Sequence, residues 1–202
     1  MSCCFNNSSH TESHGERRKM KKILALIALS LGISIMPFSA SAHGPAPQKV
    51  EKTITIKASP AKVWAIVKDF GNMHQWHPGV ASTKLEQKKD DNGDLVTYRT
   101  LTFKSGGNVY EKLRSIDDAS MRIKYEILTG TLPLTDYNAS MTVTQGANAN
   151  EATVTWVGRF YRLYKLNPPI PEGQDDATAV KAITDIFDSG LANLQKVAEA
   201  AK

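Results

Sequence analysis

Apolar and polar residues alternate with a period of two from Val50 through Lys57, which predicts a half-buried first strand. Ser59 and Pro60 then offer a helix N-cap and a first-turn proline, and Val63, Trp64, Val67 and Phe70 follow at helical spacing. A helix of about ten residues is expected, stopped by Gly71-Asn72, with one more short turn running to Pro78. From Val80 to Leu163, turn chemistry at 90–93, 105–107, 117–118, 130–133 and 145–148 divides the chain into roughly five or six strands, the spacing of an antiparallel meander. A loop with three prolines follows at 165–174. Asp175 and Asp176 then open a final helix of about 25 residues, their charge favourable at the positive end of its dipole. Its Val180, Ile183, Ile186, Phe187, Leu191, Leu194 and Val197 form one apolar stripe. The predicted class is α+β, a twisted antiparallel sheet covered by the C-terminal helix.

The same alternation assigns the faces of the sheet. Leu95, Thr97, Arg99, Leu101 and Phe103 share one face with Val109, Glu111 and Leu113, and later strands add Ile123, Tyr125, Tyr137, Met141, Val154, Trp156 and Phe160. The opposite face carries Arg122, Lys124, Glu126, Asn138, Ser140, Thr142, Thr144, Thr153, Thr155 and Arg159 and is expected to be wet. Arg99 and Glu111 break the apolar face, and the 104–107 turn sets them nearly opposite each other, so they should meet as a partly buried pair. Such a pair is either a structural bridge or a polar handle within a cavity. Paired with Arg99, Glu111 is expected to have a lowered pKa and to be a poor base. Ala139, Gly158 and Gly190 are small residues in bulky inward stripes. They leave volume between sheet and helix or permit close packing, and a pocket is the favoured expectation.

Composition changes the picture at the N-terminus. Lys21-Lys22, an apolar run of roughly 14 residues and Ala40-Ser41-Ala42 follow the order of a secretory signal over residues 20–42, too short to span a bilayer. An uncleaved anchor is the alternative. Residues 1–19 read as an extension ahead of a true start at Met20, so Cys3, Cys4, His10 and His14 form no metal site. Residues 43–49 read as a linker and 50–202 as the functional domain, placed in the periplasm. Five cations and two carboxylates lie before residue 43, which takes the formal charge of +5 down by three units to +2. That balance gives no case for nucleic acid. Both cysteines of the chain also precede residue 43, which excludes thiolate chemistry and disulfides from the domain.

His74 and His77 stand i, i+3 around Trp76 and could share a face as metal ligands or as an acid/base pair. Without a third ligand nearby, the simpler reading has Trp76 capping the core and the histidines at a cavity mouth. Cleavage after Ala42 would expose His43, whose amine and imidazole can chelate copper. Tyr161, Tyr164, Pro168, Pro169, Ile170 and Pro171 form an apolar patch that contacts a partner or covers an open end of the fold.

Several segments taken in order resemble the START-like superfamily of polyketide cyclase/dehydrase and lipid-transport domains. They are Ser59-Pro-Ala-Lys-Val-Trp64, Trp76-His-Pro78, Gly107-Asn-Val-Tyr-Glu-Lys-Leu113, Leu132-Pro-Leu-Thr-Asp-Tyr137, Thr155-Trp-Val-Gly-Arg-Phe160 and Gly190-Leu-Ala-Asn-Leu194. The resemblance implies a helix-grip fold, a curved antiparallel sheet wrapped around a long C-terminal helix with an elongated apolar cavity between them. It implies no catalytic set, metal or cofactor. The signal and the Leu132-Pro133 to Tyr137 segment look most like MxaD-type periplasmic proteins, associated with bacterial methanol oxidation. On this basis Arg99, Glu111, Tyr125, Tyr137, Trp156, Phe160, Phe187 and His77 are the expected ligand-binding residues, and an apolar or amphipathic small molecule is the expected ligand. A role as partner of a periplasmic dehydrogenase or cytochrome is the first alternative, and a cyclase-type enzyme the second.

Overall fold

Residues 44–90 and 92–200 are described by the computed structural model; the 1–19 extension, the 20–42 signal and His43 lie outside them. Period-two alternation produces β1 (Gln48–Ile56), β2 (Val80–Lys89), β3 (Leu95–Phe103), β4 (Asn108–Asp117), β5 (Arg122–Gly130), β6 (Leu134–Gln145) and β7 (Ala152–Arg162). They form one antiparallel sheet in the order β1-β7-β6-β5-β4-β3-β2. Short turns put consecutive strands β2 to β7 side by side, and β1 completes the sheet against β7. Asp90 shapes the first of these turns, its Oδ1 accepting the N–H groups of Asn92 and Asn92's successor but one, Asp94, each at 3.0 Å. The β3–β4 turn needs two left-handed residues in succession, supplied by Gly106 (φ +92°) and Gly107 (φ +83°).

Among the described residues three helices accompany the sheet: α1 (Pro60–Val67), α2 (Met73–Trp76) and α3 (Asp176–Ala200). Pro60 takes the first position of α1 as expected, but the Ser59 side chain makes no capping bond, and only its carbonyl accepts the Lys62 and Val63 N–H groups. Asp175 does cap α3, its Oδ1 accepting the Thr178 N–H at 2.7 Å.

The inner face of the sheet, one stripe of α3 and the buried sides of α1 and α2 make the core, in which Trp156 stacks on Phe187 with centroids 4.1 Å apart. The stripe is centred slightly differently from the expected one. Ala179 and Ala198 are fully buried, whereas Val180, Ile186 and Val197 are half-buried at its margins. Leu95 also departs from expectation, standing exposed at the open end of β3 beyond the reach of α3. The architecture is the α+β helix-grip arrangement, an open curved sheet held around a C-terminal helix.

The expectation that Gly158 and Gly190 leave a void is corrected. A Cβ at Gly190 would lie 2.6 Å from Cδ2 of His77 and 3.0 Å from Cζ3 of Trp156, and one at Gly158 would lie 3.1 Å from both Phe187 and Tyr137. These glycines let aromatic rings approach the backbone closely. The rings fill the space the missing side chains vacate.

Candidate functional site

The site is built where the C-terminal end of α2 and the middle of α3 face the inner side of β3 to β7. Arg99 on β3 and Glu111 on β4 are register partners, and Nε of Arg99 donates to Oε2 of Glu111 at 2.5 Å. Arg99 Nη1 also donates to the Phe70 carbonyl at 3.0 Å, and the guanidinium lies 3.9 Å from the Phe70 ring centre. Both charged residues are buried, Arg99 at 4% exposure and Glu111 at 3%.

Tyr125 and Tyr137 continue this polar cluster. The Tyr125 hydroxyl accepts the indole N–H of Trp156 at 2.9 Å and is hydrogen-bonded to Tyr137. Burial pushes both phenols well above their ordinary pKa, with the Glu111 charge adding to the effect, so both stay protonated and remain donors. Glu111 contradicts the expected lowering. Removing its carboxylate from water raises its pKa, and this outweighs the opposing pull of Arg99.

His77 sits inside the fold at 2% exposure while His74 faces solvent, so the two do not form a pair. The Gly79 N–H donates to Nδ1 of His77 at 3.1 Å, which fixes that nitrogen as an acceptor and makes Nε2 the donor to the Ile186 carbonyl at 3.0 Å. Burial holds the imidazole below its ordinary pKa. A neutral His77 thus ties α2 to α3 and has no nitrogen left for a metal or a proton transfer. Among the described residues no group of three His, Cys, Asp or Glu side chains is arranged to hold a metal ion.

Five of the eight expected residues, His77, Glu111, Tyr125, Tyr137 and Trp156, line an inner cavity of about 30 Å³, together with Met73, Leu101, Phe103, Leu132 and Ile186. Arg99 stands behind Glu111 and lines a separate void of about 10 Å³. Phe160 and Phe187 line none of these spaces and serve the core, Phe160 against Tyr137 and Phe187 against Trp156. An inner cavity of 30 Å³ holds about one water-sized group, far below the ~300 Å³ of an ordinary ligand pocket.

Room for a ligand lies immediately outside. A groove of about 400 Å³ shares His77, Phe103, Leu132 and Ile186 with the inner cavity and continues over Gly79, Ala182 and Ser189. A second, larger concavity of about 640 Å³ approaches from the other side through Ile127, Leu132 and Tyr137. It exists because β5 and β6 pair only from Arg122–Thr142 to Glu126–Asn138 and then diverge. The divergence coincides with a register break in β6 between Thr135 and Asn138 and with Asp136 at φ +54°. The larger concavity presents mainly polar surface, whereas the groove presents mainly apolar surface and reaches the polar cluster through His77, so the groove suits an apolar ligand better. Sequence reasoning missed Met73 and Ile186 as lining residues. Ile186 was placed in the apolar stripe of the last helix, and its position at the margin of that stripe is the signal that could have found it.

A sequence model described as polyketide cyclase / dehydrase and lipid transport matches residues 47–199. No curated protein sequence matches the chain. Among solved structures, the protein XoxI from Bacillus cereus is similar at 24% identity with a TM-score of 0.59, covering 74% of this chain and 94% of that one. A START superfamily protein from Mycobacterium smegmatis is similar at 15% identity with a TM-score of 0.57, covering 75% and 97%. Norcoclaurine synthase from Thalictrum flavum, solved in complex with dopamine and hydroxybenzaldehyde, is similar at 18% identity with a TM-score of 0.56, covering 79% and 90%. At these identities the structural likenesses speak to the fold alone.

Proposed function

Since the chain belongs to the polyketide cyclase/dehydrase and lipid-transport family, we propose that it is a binding module for an apolar or amphipathic small molecule seated in the groove beside α3. One observation carries this reading: an apolar groove of about 400 Å³ adjoins a small buried cavity on which Glu111, Tyr125 and Tyr137 converge. The ligand's body lies on Phe103, Leu132 and Ile186. A single polar group, small enough for the inner cavity, takes a hydrogen bond from a tyrosine or gives one to Glu111. Arg99 orients Glu111 from behind and does not touch the ligand.

Solvent extraction of the purified protein followed by mass spectrometry should recover a bound apolar molecule. An environment-sensitive apolar fluorophore should bind the emptied protein and be excluded by Ile186→Trp, which fills the groove from a half-buried position. An empty extract together with fluorophore binding that ignores Ile186→Trp rejects the reading.

Burial of Glu111 favours a second reading, a cyclase-type enzyme, because a carboxyl with a raised pKa is a better proton acceptor near neutrality than the lowered one first expected. It predicts loss of turnover in Glu111→Gln, and in Tyr137→Phe, with folding retained. The periplasmic location and a dehydrogenase or cytochrome partner belong to the proposal on the strength of the signal-like order of residues 20–42 and the MxaD-type resemblance. Protein recovered from the periplasm should begin at His43; an intact N-terminus in the cytoplasm refutes the location, and with it that partner.

A further inference from the structure

The outer, wet face of the sheet holds a shallow trough of about 150 Å³ lined by Arg122, Lys124, Asn138, Ser140, Val157 and Arg159. The strand register explains its shape. Lys124 on β5, Ser140 on β6 and Val157 on β7 lie in one row across the sheet, with Arg122 one row to one side and Arg159, opposite Asn138, one row to the other. The middle strand contributes a small side chain, so the long cationic side chains of β5 and β7 stand as walls about 10 Å apart over a low floor. Ser140 is only 8% exposed despite its outward position, and Arg122 Nη2 donates to its Oγ at 3.4 Å, leaving the hydroxyl proton free to donate.

Charge is what distinguishes this trough. No carboxylate lines it, and among the described residues none lies within ion-pair distance of Arg122, Lys124 or Arg159. The acids nearby are already engaged. Asp117, opposite Arg122, accepts from the Ala119 and Ser120 N–H groups and from the Ser120 hydroxyl; Glu126 holds Arg114; and Glu51 holds Lys49. Glu51 and Asp117 act on Arg159 and Lys124 only from beyond ion-pair distance, so part of the repulsion among the three cations remains, a cost that a bound anion lowers.

We propose that this trough binds a phosphate group, held by the guanidinium groups of Arg122 and Arg159, the Lys124 ammonium and the Ser140 hydroxyl. Donors converging from two walls and a floor match the three or more oxygens of a tetrahedral phosphate better than the two oxygens of a planar carboxylate, and guanidinium forks pair with phosphate in a bidentate manner. The site is on the opposite face of the sheet from the groove beside α3 and stands independently of it. A phosphate monoester in solution and the phosphodiester of a lipid headgroup present the same chemistry.

The test follows backbone amide shifts of the protein by NMR as inorganic phosphate or glycerol 3-phosphate is added at constant ionic strength, with acetate as the control anion, and in parallel measures co-sedimentation with phosphatidylglycerol and phosphatidylcholine vesicles. Phosphate should give saturable shifts at Lys124, Ser140 and Arg159 that acetate does not. Arg122→Gln and Arg159→Gln should each weaken binding about tenfold, the loss of one charged hydrogen-bonding partner, while Lys181→Gln on α3 leaves it unchanged. Selective sedimentation with phosphatidylglycerol that Arg159→Gln abolishes identifies the lipid headgroup as the source; phosphate binding without it identifies a soluble phosphate. Shifts that do not saturate with phosphate and no vesicle binding, or affinities that both arginine variants leave intact, overturn the proposal. Ser140→Ala, which keeps every charge, should weaken phosphate more than it weakens vesicle adsorption driven by charge alone, and equal effects count against a built site.

Discussion

The Arg99 guanidinium and the Glu111 carboxylate meet at 2.5 Å across β3 and β4, each with about 5% of its side chain exposed. Neither charge has water to fall back on, so the stability of the fold depends on keeping them together or removing both. Arg99→Met strands Glu111 in the interior and should cost about 3–5 kcal/mol by urea denaturation at pH 7. The double variant Arg99→Met/Glu111→Leu should recover most of that loss. A double variant no more stable than the single one would show that the cost lies in lost packing on Phe70 and Tyr125, not in the orphaned carboxylate.

Gly190 on α3 allows His77 and Trp156 to touch the helix backbone, and an added methyl would meet them at 2.6 Å and 3.0 Å. Alanine is the better helix former by about 1 kcal/mol, but here it would collide with two rings held by hydrogen bonds. Gly190→Ala is therefore expected to destabilise by about 1–3 kcal/mol in spite of its helix propensity. Gly173, with open space around it, is no fair control because its φ of +77° penalises any side chain; Ala192→Gly on the exposed side of α3 measures the propensity term alone.

What the sequence made legible follows from how locally each feature is encoded. Arg99 and Glu111 could be paired because period-two alternation and a short glycine turn determine register without further information. The bonds of His77 could not, since Ile186 lies 109 residues away and only the packing of α3 brings its carbonyl to the ring. Ala179 and Ala198 were invisible in a stripe defined by large side chains, and Gly158 and Gly190 admitted opposite readings that only the neighbouring rings decide. Asp136 carried only a weak signal for its left-handed backbone, since aspartate adopts that conformation more often than most residues but far less often than glycine, so the divergence of β5 and β6 was unforeseen.

His77 gives the fold a pH dependence of known sign. Its native pKa lies below the ordinary 6.5, so as pH falls the unfolded chain takes up a proton first. Stability from this group is complete above about pH 6.5 and is lost as pH falls from there toward the lowered native value, by up to about 1.4 kcal/mol per pH unit. Glu111 acts oppositely: its raised pKa makes stability fall as pH rises above its ordinary 4.5. The His77 part is therefore read as a difference from His77→Gln, which keeps a donor for the Ile186 carbonyl. The variant should be less stable at pH 7.5 yet lose less between pH 6.5 and 5.5; identical slopes would mean that His77 titrates alike in both states.

Arg162, at the end of β7 and 5% exposed, organises the loop that leads into α3. It donates to the Tyr164 carbonyl at 2.7 Å, to the Leu166 carbonyl at 3.3 Å and to Oδ2 of Asp176 at 3.0 Å, so a single guanidinium joins the start of the loop to the first turn of the helix. The proline-bearing apolar patch at 168–171 hangs from this anchor, and whatever it covers or contacts depends on the anchor holding. A lysine presents one compact charge and cannot span three acceptors in a plane, so Arg162→Lys should restore little of what Arg162→Met removes. Both should cost about 2 kcal/mol and speed hydrogen exchange of amides 164–179 while β4 and β5 stay protected. If protection falls equally throughout the sheet, Arg162 supports the global fold and has no special hold on the loop.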